Sequence, residues 1–139
     1  MIQVQEDLRT IEITRGDSTG ANGLNRLAFR LPYYNGTETK DYEFQPSDKI
    51  TFVVMQKKGY TKEEILRKEY TLIEIGYTEP TTVVEIPLSS LDTKSFPLSN
   101  KRTTLWYDIV LNDSTTVLGY DDEGASKIIV YPEPGEKEE

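Results

Sequence analysis

The sequence predicts an all-β fold, an antiparallel sandwich of about seven or eight strands with one or two short helical turns. Apolar and polar residues alternate with period two in short runs, the pattern of strands with one buried face. Gly, Pro, Asn and Asp punctuate these runs at roughly ten-residue spacing, as in sandwiches. Helical signals are confined to one or two turns. Strand counting alone leaves a barrel as the alternative.

The elements follow in order. Ile11-Glu12-Ile13-Thr14 alternates cleanly and runs into Arg15-Gly16-Asp17, a turn with Gly16 at its bend. Leu27, Phe29 and Leu31 share a strand face that Pro32 ends. In Ile50 to Met55 both faces are apolar, which predicts a central strand. Thr61-Lys62-Glu63-Glu64 has the form of a capping box and predicts a short helix. Tyr70 to Ile75 and Thr82 to Ile86 read as a hairpin with a loop through Gly76 and Pro80. Pro87 stops the second of these, because it has no amide to give a ladder. Ser89 to Ser95 reads as a helical turn.

Thr104 to Leu111 is the clearest strand, with Leu105, Tyr107, Ile109 and Leu111 on one face and Trp106, Asp108 and Val110 on the other. Asn112-Asp113-Ser114 turns the chain into Thr115 to Leu118, its hairpin partner. Lys127 to Tyr131 is the last strand, stopped by Pro132 and Pro134. Residues 1–131 therefore read as one domain and 132–139 as an acidic, disordered tail. Whether the last strand is central or an open edge is not fixed by pattern.

Composition narrows the chemistry. The 139 residues contain neither Cys nor His. Disulfides and thiolates are excluded, as are the usual neutral-pH acid–base group and the commonest transition-metal ligand. A formal charge of −8 disfavours nucleic acid as a partner. No run approaches the ~20 apolar residues of a membrane span. The first eight residues do not read as a signal peptide, so synthesis in the cytoplasm is expected. No pair of carboxylates is marked as catalytic, and the chain reads as no enzyme, with no cofactor.

Four local features offer candidate sites. Asp121-Asp122-Glu123-Gly124 gathers oxygen ligands but lacks EF-hand spacing, and reads as a solvated loop. Arg15-Gly16-Asp17 spells an integrin-ligand tripeptide, but follows a strand directly and reads as a turn. Trp106 reads as core or inter-sheet packing. Tyr33-Tyr34-Asn35-Gly36 couples a tight turn to two aromatics. With Tyr42 and Tyr60, these tyrosines form the candidate interaction surface, for protein or for a glycan, although packing over the sandwich edge is the plainer reading.

Five segments carry a resemblance across the whole chain: IEITRGDS from Ile11, FQPSDKITFVVMQKKG from Phe44, VVEIPLSSLDTK from Val83, LWYDIVLN from Leu105 and GYDDEGASKIIVYPEPG from Gly119. In these the chain resembles small phage and prophage structural proteins of Gram-positive gut bacteria. The layout is similar to the amino-terminal domains of upper-baseplate proteins and tail-fibre adaptors. The resemblance implies an immunoglobulin-like sandwich and a structural or adaptor role in a tail, baseplate or fibre. It implies other tail or baseplate proteins as partners, a possible homo-oligomer, and a place in the virion. The alternative is a carbohydrate-binding module of a cell-surface or fibre protein.

Overall fold

In the computed structural model, which describes residues 1–5, 9–19, 25–56, 64–97, 101–118 and 126–133, the fold is an all-β sandwich. Among the described residues there are eleven strand segments: β1 (Ile2–Val4), β2 (Ile11–Thr14), β3 (Ala28–Phe29), β4 (Pro32–Tyr34), β5 (Thr39–Asp41), β6 (Lys49–Met55), β7 (Glu64–Thr71), β8 (Val84–Glu85), β9 (Thr103–Leu111), β10 (Thr115–Leu118) and β11 (Lys127–Tyr131). One short helix, α1 (Ser90–Lys94), and a 3-10 turn at Leu72–Ile75 complete them. The number exceeds the expected seven or eight because several pieces are only two or three residues long.

The main sheet runs β1-β2-β11-β9-β6-β7, and β10 lies beside β9. It begins and ends on different strands, so the described sheet is open, which answers the barrel alternative. Its pairs are antiparallel except β2–β11, which is parallel in the register Ile11 to Ile128 through Thr14 to Tyr131. Lys127–Tyr131 is thus an interior strand, held by β2 and β9.

Alternation puts Leu105, Tyr107, Ile109 and Leu111 of β9 on the inner face, beside Ile50, Phe52 and Val54 of β6. Ile11, Ile13, Ile128 and Val130 extend that face. The opposing layer consists of short pieces: the β3–β8 pair, the β4–β5 hairpin, a bridge between Phe44 and Thr81, and α1. Leu27, Phe44, Leu72, Val84, Ile86 and Phe96 come from this layer and fill the core. β6 is buried on both faces from Ile50 to Met55, as its two-sided apolar pattern predicts.

Tyr107 and Asp48 are satisfied by specific partners. The Tyr107 hydroxyl donates to the Arg9 carbonyl. Asp48 accepts from Tyr42 Oη and the Gln45 amide at 2.9 Å each, and from Asn112 Nδ2 at 3.0 Å. Asn112 closes the other side, with its amide donating to the Lys49 carbonyl and its Oδ1 accepting from the Lys49 amide, both at 2.8 Å. Asn112 and Asp113 have φ of 51° and 58°, the left-handed geometry of a tight hairpin turn between β9 and β10.

Several local expectations are corrected. The helix expected from Thr61 is not seen at its described end: Glu64 already begins β7, while 57–63 lie outside the described residues. Tyr70 to Ile75 is not one strand; β7 ends at Thr71 and the 3-10 turn follows. Val84–Glu85 pairs with Ala28–Phe29, not with Tyr70 to Ile75. Pro132 is buried and Glu133 reaches Arg15 at 3.5 Å, so the packed chain continues two residues beyond the expected domain boundary. The helical turn at Ser89 to Ser95 is present as α1, with Ser89 Oγ and the Asp92 carboxylate exchanging hydrogen bonds with each other's amides.

Burial pushes the Asp48 carboxyl up, but hydrogen bonds from Asn112, the Gln45 amide and Tyr42 outweigh it and hold the group below its ordinary value of 3.8. A depressed folded-state value gives stability that is present above the unfolded value and lost as pH falls through the folded one. Asp48→Asn is expected to cost about 2 kcal/mol at neutral pH, since hydrogen bonds to a charged acceptor are lost. Urea unfolding at pH 7 and below pH 4 checks this: the difference between variant and wild type should shrink in acid.

Candidate functional site

Among the described residues, the β4–β5 hairpin is the candidate surface that the structure presents. Residues 32–40 are all exposed. The turn is set by Asn35, whose Oδ1 accepts from the Thr37 and Glu38 amides at 3.0 Å each, while its own amide donates to the Glu38 carbonyl at 3.1 Å. Gly36 takes a φ of 97°, which an L side chain resists. The hairpin is rooted in the sandwich by the Tyr42 amide, which donates to the Leu31 carbonyl at 2.7 Å, and by packing of Leu31 and Tyr42 on the core.

The four candidate tyrosines are not brought together. Tyr33 is 46% exposed and Tyr34 69%. They are consecutive on β4, so their rings leave opposite faces of the ribbon. Tyr33 faces with Lys40, and Tyr34 with Thr39. Neither packs over the sandwich edge, contrary to the plainer reading. Tyr42 does: it is half-buried, meets Phe44 edge-on at 5.0 Å, and is held by Asp48. Burial, then the Asp48 bond, pushes its phenol above the usual tyrosine value. Tyr60 lies outside the described residues, as does the Asp121 to Gly124 loop.

The Arg15-Gly16-Asp17 turn is locked into its own chain. Arg15 donates to the Phe96 carbonyl at 3.1 Å and the Lys94 carbonyl at 2.8 Å. Gly16 has a φ of 92°, and a Cβ there would lie 2.8 Å from Glu133 Oε1. Asp17 is paired with the amino terminus. The tripeptide is a turn, as its position after a strand predicts.

Trp106 was expected in core or inter-sheet packing, and the structure places it on the outer face. Tyr107 is the inward residue, and Trp106 is half-buried on the outer face between Met55 and Lys127. Next along that face is Asp108, opposite the buried Val53. Burial alone raises its carboxyl above the ordinary value of 3.8. Thr51 Oγ1, one pair further on, is buried without a hydrogen-bond partner. This outer patch was missed because Thr51 and Asp108 are common strand residues whose surroundings only the sheet order defines.

Among the described residues, no three acidic side chains gather as cation ligands would, and no helix is long and apolar enough to cross a membrane. Comparison with protein-family models, with curated proteins and with solved structures returns no match.

A carboxyl raised by burial favours the fold while protonated and disfavours it once ionised, so its penalty is absent below the unfolded value and grows as pH rises through the folded one. Asp108→Asn is therefore expected to raise thermal stability at pH 7, by less than about 1 kcal/mol because the site is partly solvated. The gain should vanish below the ordinary carboxylate value, which calorimetry across pH 3 to 7 reads directly.

Proposed function

We propose that the chain is a non-enzymatic adaptor of a phage or prophage tail, baseplate or fibre, and that it docks by protein–protein contact through the β4–β5 hairpin. The observation that carries this reading is the hairpin itself, a braced arm with one exposed tyrosine on each face. Tyrosine combines a large apolar body with a polar tip, has few rotamers to lose, and is enriched among residues that dominate interfaces. Rings on opposite faces suit insertion between two protein surfaces.

The segment resemblance supplies the setting, a virion part with other tail proteins as partners. The immunoglobulin-like assignment belongs to the same proposal. It is supported by the open sandwich and by the parallel pairing of an early strand with the last one. A sugar platform needs rings that can share a plane, and Tyr33 and Tyr34 cannot both lie on one face of β4. The carbohydrate-binding alternative therefore has only single-ring contacts to draw on here.

The test is native mass spectrometry of the purified chain with the tail proteins encoded beside it. A complex is expected, and the double variant Tyr33→Ala, Tyr34→Ala should weaken it by about a hundredfold, roughly 3 kcal/mol. Thermal stability should barely change, since both rings are solvated. No complex with any neighbouring tail protein, or one indifferent to the double variant, overturns the proposal. Binding on a glycan array that is lost with Tyr34→Ala would transfer the surface to the alternative.

A further inference from the structure

The two ends of the main sheet are not alike. At β1, the outer side is already taken: the Ile2 amide donates to Asn25 Oδ1 at 3.1 Å, and the Ile2 carbonyl accepts from the Arg26 amide at 3.0 Å. At β7, the other end, no backbone hydrogen bond joins Ile65–Tyr70 to a described residue outside β6. An eight-residue strand whose outer amides and carbonyls bond to no other described residue is a template for another strand.

Edge strands are commonly protected by charge, and β7 carries Glu64, Arg67, Lys68 and Glu69. Here the order of those charges is self-complementary. Register with β6 places Arg67 and Glu69 on the outer face, opposite Val53 and Thr51. Leu66, Lys68 and Tyr70 lie on the inner face, opposite Val54, Phe52 and Ile50.

A two-fold axis normal to the sheet would pair β7 antiparallel with β7 of a second copy. Only registers centred on a residue keep inner faces together. Centring on Arg67 sets it against itself, and centring on Glu69 does the same for that residue. Centring on Lys68 instead sets each Arg67 against Glu69 of the other copy, and each Leu66 against Tyr70. The lysines then meet across the axis, but each is already held by its own Asp92 at 3.2 Å. The register irregularity between Val54 and Met55 limits straight pairing to the part of β7 beyond Ile65. Two exposed apolar side chains lie near these residues in sequence: Ile73, 60% exposed, two residues after β7, and Leu91, 79% exposed, next to Asp92.

We infer that β7 is a homodimer edge, joining the main sheets of two copies in the register centred on Lys68, with reciprocal Arg67–Glu69 pairs. This surface is distinct from the hairpin and does not rest on the adaptor reading. The contact is short, so a weak dimer is expected, populated at about tens of micromolar and above.

Sedimentation equilibrium and a charge-exchange experiment test it together. Arg67→Glu and Glu69→Arg should each weaken self-association about tenfold or more, because each sets like charges face to face. Mixed in equal amounts, the two variants should dimerise at least as well as the wild type, since the acidic pair of one copy then meets the basic pair of the other. Unchanged melting temperatures exclude a folding defect, and Tyr33→Ala, Tyr34→Ala should leave the dimer intact. In the wild type, amide exchange over Leu66–Tyr70 should slow with rising concentration. A wild-type monomer at about 200 μM, a dimer indifferent to Arg67→Glu, or a mixture that stays monomeric would overturn the inference.

Discussion

The pairing of β6 with β9 is the constraint on which the other contacts depend. Ile50 to Met55 faces Trp106 to Leu111 in an unbroken register, and β6 is buried on both sides. Every other strand of the main sheet is attached to this pair directly or through a neighbour. Because side chains alternate with period two, a slip of one residue would turn Ile50, Phe52 and Val54 out of the core and bring Thr51 and Val53 in. The Lys49–Asn112 hydrogen bonds fix the register at one end, and Asp48 holds Asn112 in place. The left-handed turn at Asn112-Asp113 then returns β10 along β9, so one polar cluster sets both the sheet register and its hairpin.

The second layer is too fragmentary to be held by ladders, and side chains join it to the sheet instead. Thr93, fully buried on α1, donates to the Asp17 carbonyl at 2.7 Å and accepts from the Gly16 amide at 2.9 Å. Arg15 adds its bonds to the carbonyls at the end of α1. Lys68 reaches Asp92 from β7, and the Tyr70 hydroxyl donates to the Pro87 carbonyl at 2.9 Å. Together these bonds anchor the α1 region at both β2 and β7. Gly16 turns the chain here with a φ of 92°, a conformation that L side chains resist.

Much of this architecture was legible in the sequence, and the parts that were not share a physical cause. Thr103–Leu111 and Lys127–Tyr131 alternate strictly, so one buried face dictates their conformation. Ile50 to Met55 declared itself central by being apolar on both faces. The Thr-x-x-Glu signature was read at Thr61–Glu64, whereas the same spacing recurs at Thr71–Glu74. There Glu74 Oε1 accepts from Thr71 Oγ1 at 2.7 Å, and Gly76 ends the turn with a φ of 100°. Glu64, by contrast, is recruited into β7 by pairing with Met55, a strand partner that the capping signature does not report. The same holds for Val84–Glu85, whose partner lies far upstream. Of the candidate site, the Asn-Gly turn was readable, whereas the plainer reading packed its tyrosines over the sandwich edge and the structure leaves them exposed. Their opposed orientation follows from strand geometry, and β7 as an edge from sheet order alone.

The distribution of exposed groups separates surfaces that can dock from those that cannot. The final strand, the obvious place to add a chain had it been an edge, is enclosed on both sides. The β1 edge is closed by Asn25 and Arg26. The hairpin is braced at its turn and root yet leaves its rings in water, so binding there would cost little ordering entropy. The β7 edge differs in kind: its recognition elements are backbone groups, which any strand could use, and its selectivity must come from the order of charges along it. A fold whose interior is fixed by one central strand pair thus leaves two peripheral elements able to bind without disturbing the core. The two would read a partner by different chemistry, aromatic surface at the hairpin and backbone with alternating charge at the edge.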